Sequence, residues 1–166
     1  ISGPVALAAP EGVARVSVRS AQQMFDEVKA VVDDSDVFIS VAAVADWKVG
    51  NASKQKIKKA NGKAPLLKLQ ENPDILSWVA ARKNAPFCVG FAAESEKLGE
   101  NARAKRAKKG VPLIAANLAQ QAIGADDNSI TLFDARGSHA LGSGPKIELA
   151  RKLVGHIAGM LKKAKR

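Results

Sequence analysis

The chain has no tyrosine, a single cysteine and few rings of any kind, with five Phe and two Trp in 166 residues. So few aromatics exclude the stacking platforms on which single-stranded nucleic acids are held. One thiol, Cys88, excludes an intramolecular disulfide, and a reducing cytoplasm is the simplest compartment. Its setting in Phe87-Cys88-Val89-Gly90-Phe91 reads as core rather than as a nucleophile. No apolar run reaches transmembrane length and no signal peptide opens the chain, so a membrane is not an expected partner. A Gly-x-Gly-x-x-Gly fingerprint and a Gly-Lys-Ser/Thr phosphate loop are both missing. The two histidines, His139 and His156, are far apart in the chain and lack metal-ligand spacing. His156 falls on the expected last helix and reads as structural or exposed. No metal ligands are assigned.

What is present is positive charge and one concentrated motif. Lys and Arg number 26 against 16 Asp and Glu, a formal net charge of +10, which favours anionic partners such as nucleotides or phosphorylated metabolites. Lys162, Lys163, Lys165 and Arg166 read as a solvated tail, so part of this excess is not tied to a site. The length and a 46% hydrophobic content fit one globular domain over 1–166. The chain is organised around 37–48. Val37 to Val44 is apolar or small on both parities, as in a central parallel strand covered on both faces, and the run stops at Asp46-Trp47-Lys48. In open parallel sheets, ligands bind beyond the carboxyl ends of the strands. Small residues such as Ala42 let a ligand approach the backbone, and Asp46 offers a carboxylate to sugar or base donors or to a metal. A turn or helix cap is the plainer reading of Asp46.

Along the chain, Val13–Arg19 alternates like an edge strand. Ser20 with Gln23 starts a helix by a weak capping box, and Met24 or Phe25, Val28, Val31 and Val32 give it an inward face. Residues 48–65 are polar and lysine-rich and read as a mobile loop, followed by a brief extended piece at Leu66–Leu69. Asn72-Pro73-Asp74 signals a helix start, with Asn72 as cap. Pro86–Ala93 is a second buried strand, ending in small residues and Glu94. A helix over 95–109 closes at Gly110, and Val111–Ala116 is a third strand. The stretch 117–128 is irregular, and 128–133 with 138–141 form a hairpin. Gly144 and Pro145 start a last helix, with Ile147, Ala150, Val154, Ile157 and Leu161 as its apolar stripe. Strands alternating with helices predict an α/β fold. It is a three-layer, Rossmann-like, doubly wound and mostly parallel sheet with a C-terminal β-hairpin and a final helix.

The chemical inventory is a crevice with Asp46, several lysines and a helix N-terminus. It suits a triphosphate with a divalent metal, activated by positioning and charge neutralisation rather than through a covalent enzyme intermediate. Lys56-Ile57-Lys58-Lys59 is a cationic loop able to reach over such a ligand, or a solvated surface. Pro73 to Leu76 opens a helix whose free amides suit a phosphate, or is simply well capped. Phe91 lies against a flat ring or in the core. Lys105 and Lys109, four apart on one helix face, hold an anion or complement the helix dipole.

Ala42-Ala43-Val44-Ala45-Asp46-Trp47, Lys56-Ile57-Lys58-Lys59, Asn72-Pro73-Asp74-Ile75-Leu76, Gly90-Phe91-Ala92-Ala93-Glu94 and Ala115-Ala116-Asn117 stand in this order along the chain. In that order they resemble the phosphopantothenoylcysteine synthetase family over nearly the whole length. Each motif alone is weak and the ordered set is specific. The resemblance implies a ligase that joins 4′-phosphopantothenate to L-cysteine, with CTP and Mg²⁺, through an acyl-cytidylate. It implies that Asp46 holds the nucleotide with Ala42 lining the pocket, and that Lys56 is catalytic at the acyl-phosphate. It places Pro73, Asp74, Ile75 and Leu76 against the nucleotide, Phe91 beside the base, and Lys105 and Lys109 at the phosphates. A homodimer and fusion to a flavin-dependent decarboxylase are also implied. So is a first strand, a Gly-Pro-Thr turn and an Asn-containing Ser-Ser-Gly-Lys-Met-Gly segment ahead of Ile1. Trp47-Lys48 stands where the family commonly has Tyr-Arg. The competing classes are a Rossmann-type NAD(P)- or nucleotide-binding oxidoreductase and a basic nucleic-acid module, the latter disfavoured by the few aromatics.

Overall fold

The computed structural model describes residues 1–53, 55–58, 64, 66–122 and 124–164. The chain forms two compact units, one made of Ile1–Ala30 and Ala42–Ile75, the other of Val31–Val41 and Leu76–Arg166.

The larger unit is a five-stranded sheet in the order β1-β4-β5-β6-β7, with β1 Val37–Ser40, β4 Phe87–Glu94, β5 Leu113–Leu118, β6 Asp127–Asp134 and β7 Gly137–Pro145. β1, β4 and β5 are parallel, and β6 and β7 add antiparallel, so the expected α/β sheet with a C-terminal hairpin is present. The pairings Val89↔Leu113 and Ala115↔Leu132 put Val89, Leu113, Ala115 and Leu132 on one face. There they pack with Ile130 and with Leu149, Leu153 and Ile157 of α5 (Lys146–Ala164). The other face carries Gly90, Ile114 and Phe133. On it Leu76, from α2 (Ile75–Ala80), reaches over Gly90, and α3 (Leu98–Lys109) packs along β4, β5 and β6. A Cβ on Gly90 would lie 2.6 Å from Ile114 Cδ1 and 2.7 Å from Leu76 Cδ2, so glycine here is a packing requirement.

Helix α3 ends as its sequence dictates. Gly110 is left-handed at φ 63°, and its N–H and that of Val111 return to Ala107 and Arg106 carbonyls. It starts at Leu98, after Lys97 in a left-handed turn, and not at Ser95. A short helix, α4 Ala119–Ala122, occupies part of the stretch expected to be irregular.

The smaller unit holds α1 (Ala21–Val31) and an antiparallel pair, β2 Trp47–Val49 with β3 Leu69–Glu71. Ser20 caps α1 through its Oγ, which accepts from the Gln23 N–H, but Gln23 Oε1 accepts from Arg19 rather than Ser20. Val28 is buried while Val31 is exposed. The expected edge strand over Val13–Arg19 is reduced to one bridge between Ser2 and Ser17.

Three further expectations are corrected. β1 is four residues long and, among the described residues, is a sheet edge rather than a central strand; Ile39 and Val41 are exposed. The small residues after Ser40 bring little apolar area to hold a ladder, and the chain turns at Ala42–Val44 through a tight Val44 N–H to Ala42 carbonyl bond. Residues 48 and 49, expected in a loop, belong with Trp47 to β2. On α5 the expected stripe holds only in its second half, where Ile157 is buried and Leu161 packs on the core. Ile147 and Val154 are 62% and 57% exposed, and the inward face is Leu149, Leu153, His156, Ile157 and Met160. β7 runs through Pro145, so α5 begins later than Gly144-Pro145 suggests and its inward face follows the sheet it covers.

Candidate functional site

In the smaller unit the motifs at Asp46 and at Asn72 are one structure. Asn72 N–H donates to the Asp46 carbonyl at 2.8 Å, and Asn72 Nδ2 donates to the Ala45 carbonyl at 2.9 Å, across 27 positions of sequence. The β2–β3 ladder continues from this junction, with Trp47 opposite Glu71 and Val49 opposite Leu69. The Asn72 side chain is therefore occupied as a clamp on the Ala45–Asp46 turn, and α2 begins at Ile75, later than a cap at Asn72 would place it. Asp46 is exposed, and among the described residues no hydrogen bond or ion pair engages its carboxylate. Ala42 is also exposed, and Pro73 follows the clamp as a half-buried residue. Ile75 and Leu76 are buried, which leaves their backbone, not their side chains, to meet a ligand.

Lys56 rides on the connection between β2 and β3. That connection is closed at its base by Asn51, whose Nδ2 donates to the Leu66 carbonyl and whose Oδ1 accepts from Lys68 N–H, and by Gly50 N–H to the Lys68 carbonyl. Lys56, Ile57 and Lys58 are exposed, and Lys59 lies outside the described residues. In the sequence Asn51 carries only a faint signal, a polar residue next to a glycine after a short strand.

In the larger unit, β4 and β5 run out side by side. Ala92 pairs with Ala116, Ala93 with Asn117 and Glu94 with Leu118, so the carboxyl ends are lined by small residues and a buried Asn117. The Glu94 carboxylate accepts from Asn101 Nδ2 at 3.0 Å, and the same amide reaches the Glu96 carbonyl. Asn101 is thus the residue that sets Glu94, and sequence reasoning passed over it inside a basic helix. Phe91 is half-buried and packs against the core cluster on the α5 face. Lys105 and Lys109 are both half-buried on α3, one turn apart.

The two histidines depart from expectation. Asp134 at the end of β6, His139 on β7 and His156 on α5 come together, with Asp134 Oδ1 3.1 Å from His139 Nε2 and Oδ2 3.5 Å from His156 Nε2. Burial of Asp134 raises its pKa. Hydrogen bonds from His139 and the Arg136 N–H, with His156 adding to them, outweigh that and hold it below the ordinary carboxylate value. Contact between residues 17 positions apart is invisible in sequence because it depends on the phase of α5.

The sequence profile of the DNA/pantothenate metabolism flavoprotein C-terminal domain matches residues 1–161. The chain belongs to that family. Within it, the chain is 39% identical over 166 residues to the coenzyme A biosynthesis bifunctional protein CoaBC of Vibrio vulnificus, covering 97% of this chain and 41% of that protein. It is 43% identical over 159 residues to CoaBC of Vibrio parahaemolyticus, covering 93% and 40%. The crystal structure of the C-terminal domain of a CoaBC protein superposes with a TM-score of 0.78 at 30% identity, over 97% of this chain and 72% of that one. The chain thus spans about two fifths of the length of the curated relatives it matches. Among the described residues no helix is long and apolar enough to cross a membrane.

Proposed function

We propose that this domain is the ligase part of a coenzyme A biosynthesis enzyme, joining 4′-phosphopantothenate to L-cysteine at the expense of CTP. The relatives named above are bifunctional proteins of coenzyme A biosynthesis, and a flavin-dependent decarboxylase is the expected companion. The observation that carries the reading is the Asn72 clamp. It joins the Ala42–Asp46 and Asn72–Leu76 motifs into one turn that carries the exposed Asp46 carboxylate.

The reaction runs in two displacements. A carboxylate oxygen of 4′-phosphopantothenate attacks the α-phosphorus of CTP and pyrophosphate leaves. The cysteine amine then attacks the acyl carbon, loses a proton, and CMP leaves as the amide forms. Asp46, held by backbone with its carboxylate exposed, accepts from donors on the nucleoside. Lys56 brings a cation to the oxygens that gain charge in the first displacement, which is worth most when the loop excludes water. Positioning by backbone groups of Pro73 to Leu76 supplies the remainder. Mg²⁺ prefers oxygen ligands and is commonly bound by one or two carboxylates together with substrate phosphates, which fits the exposed Asp46 carboxylate; when bound it neutralises triphosphate charge. Base contact by Phe91 and phosphate contact by Lys105 and Lys109 are retained from the family resemblance. A homodimer is proposed on the same ground, and light scattering that returns a monomer at micromolar concentration removes it.

The test is thermal stabilisation by CTP, ATP, GTP and UTP with Mg²⁺, together with CTP-dependent pyrophosphate release. A CTP-selective shift that disappears in Asp46→Asn supports the site. An equal response to all four nucleotides refutes CTP as the substrate.

A further inference from the structure

We propose that Asp134, His139 and His156 form a binding site for one divalent transition-metal ion of the Zn²⁺ class, which ties the β6–β7 hairpin to α5. Among the described residues they are the one group of three His, Cys, Asp or Glu side chains arranged to hold a metal, with all ligand atoms within 4.8 Å of one another.

The donor set comes from three elements. Asp134 closes β6, His139 lies five residues on in β7, and His156 projects from the inward face of α5. The carboxylate is 3% exposed, and one imidazole Nε2 approaches each of its oxygens, at 3.1 and 3.5 Å. The imidazole rings lie 5.0 Å apart between centroids and are tilted by 47°, so they do not stack face to face. Zinc–nitrogen and zinc–oxygen bonds of about 2.0–2.1 Å in a tetrahedron separate neighbouring ligand atoms by about 3.3 Å. The 3.5 Å between Oδ2 and His156 Nε2 lies close to that value, as does the 3.1 Å between His139 Nε2 and the other carboxylate oxygen.

The second observation is an orphan. His156 Nε2 is fully buried, yet it has no well-formed hydrogen bond; its contact with Asp134 Oδ2 is stretched to 3.5 Å. A buried polar atom without a partner is costly, and native structures rarely leave one without a reason. His139 already hydrogen-bonds Asp134 Oδ1, and the Arg136 N–H occupies the same oxygen at 2.7 Å. Oδ2 and His156 Nε2 are thus the two atoms left facing each other at a distance too long for a strong hydrogen bond. An ion seated between them and His139 satisfies the orphan nitrogen. His139 is 36% exposed and gives the ion a route in and a solvent-side fourth position.

Two imidazoles and one carboxylate select for a borderline ion and against Mg²⁺, which demands oxygen. Location within the sheet also sets this site apart from the carboxyl ends of β4 and β5. β6 runs antiparallel to β5, with Thr131 opposite Ala116 and Phe133 opposite Ile114. Asp134 therefore lies at the amino ends of the parallel strands, across the sheet from their carboxyl ends. The role that follows is a structural staple: ligands scattered over a hairpin and a helix meet only in the folded chain, so binding energy becomes folding energy.

The experiment uses the full chain, free of any affinity tag and stripped with chelator, titrated with ZnCl₂ by calorimetry and with CoCl₂ in the visible. The expected result is one Zn²⁺ per chain, with a melting temperature raised by roughly 5–10 °C at a hundredfold excess over the dissociation constant. A tetrahedral Co²⁺ absorption band is expected alongside it. His156→Gln and Asp134→Asn should each weaken binding at least tenfold and abolish the Co²⁺ band. Melting of each variant without metal shows whether it is folded; if Asp134→Asn is not, His139→Gln takes its place. Absence of stoichiometric uptake overturns the site. So does Zn²⁺ binding unchanged in His156→Gln, or displacement of Zn²⁺ by equimolar Mg²⁺.

Discussion

The β2–β3 arm and the five-stranded sheet are built on opposite plans. The arm exposes Trp47, Val49, Leu66, Leu67 and Leu69, and it is held by backbone ladders and two asparagine clamps, Asn51 and Asn72. The sheet buries Val89, Leu113, Leu132 and Leu149 almost completely. Area removed from water scales with stability at about 25 cal/mol per Å², so the sheet carries the folding energy while the arm carries little. The arm also carries Asp46 and Lys56. Chemistry placed on a weakly packed element is free to adjust to a ligand, and residues there can change without unfolding the domain.

The sharpest way to break that contrast is to cut the sheet. Leu113→Ala removes a fully buried side chain and should cost about 3–5 kcal/mol in urea unfolding. A loss below 1 kcal/mol would mean the core is elsewhere. Next is the arm's chemistry. Lys56→Gln should lower the rate of pyrophosphate release about 10²–10³-fold while unfolding free energy stays within about 0.5 kcal/mol. If stability falls with activity, the lysine is a structural member and the contrast fails. Gly90→Ala forces its methyl against Ile114 and Leu76 and should destabilise by about 1–3 kcal/mol with the rate per folded molecule unchanged. Asn72→Ala loses an exposed side-chain bond to the Ala45 carbonyl, worth about 1 kcal/mol or less in global unfolding. Its larger effect should be a raised KM for CTP, and an unaltered KM would detach the clamp from nucleotide binding. The smallest effect separates two residues of one helix. Ile147→Ser, 62% exposed, should change stability by less than about 0.5 kcal/mol where Leu149→Ala costs several. Equal losses would restore the stripe that the spacing of apolar residues suggested.

Legibility in the sequence followed the same division. β4, β5 and the hairpin were readable because buried β-rich runs and turn residues mark them, and the helix stop at Gly110 was readable from a left-handed glycine. β2 was not, since three residues with a polar centre show no period. The phase of α5 is only partly legible because apolar residues and alanines occur on several faces, so spacing alone admits two stripes that share Ile157. The same ambiguity hides His156, which shares the inward face with Leu149, Leu153 and Ile157.

By itself the sequence determined an α/β chain with a basic surface, the ordered motifs around Asp46, Lys56, Asn72 and Glu94, and membership of one family. Those properties are local: composition, short-range period and motif order are written within a few residues of each other. Only the tertiary structure decided that Asn72 closes on Ala45 and Asp46, that Asn101 orients Glu94, and that Asp134 meets His139 and His156. Each depends on strand register or helix phase, which is set by packing against partners distant in the chain.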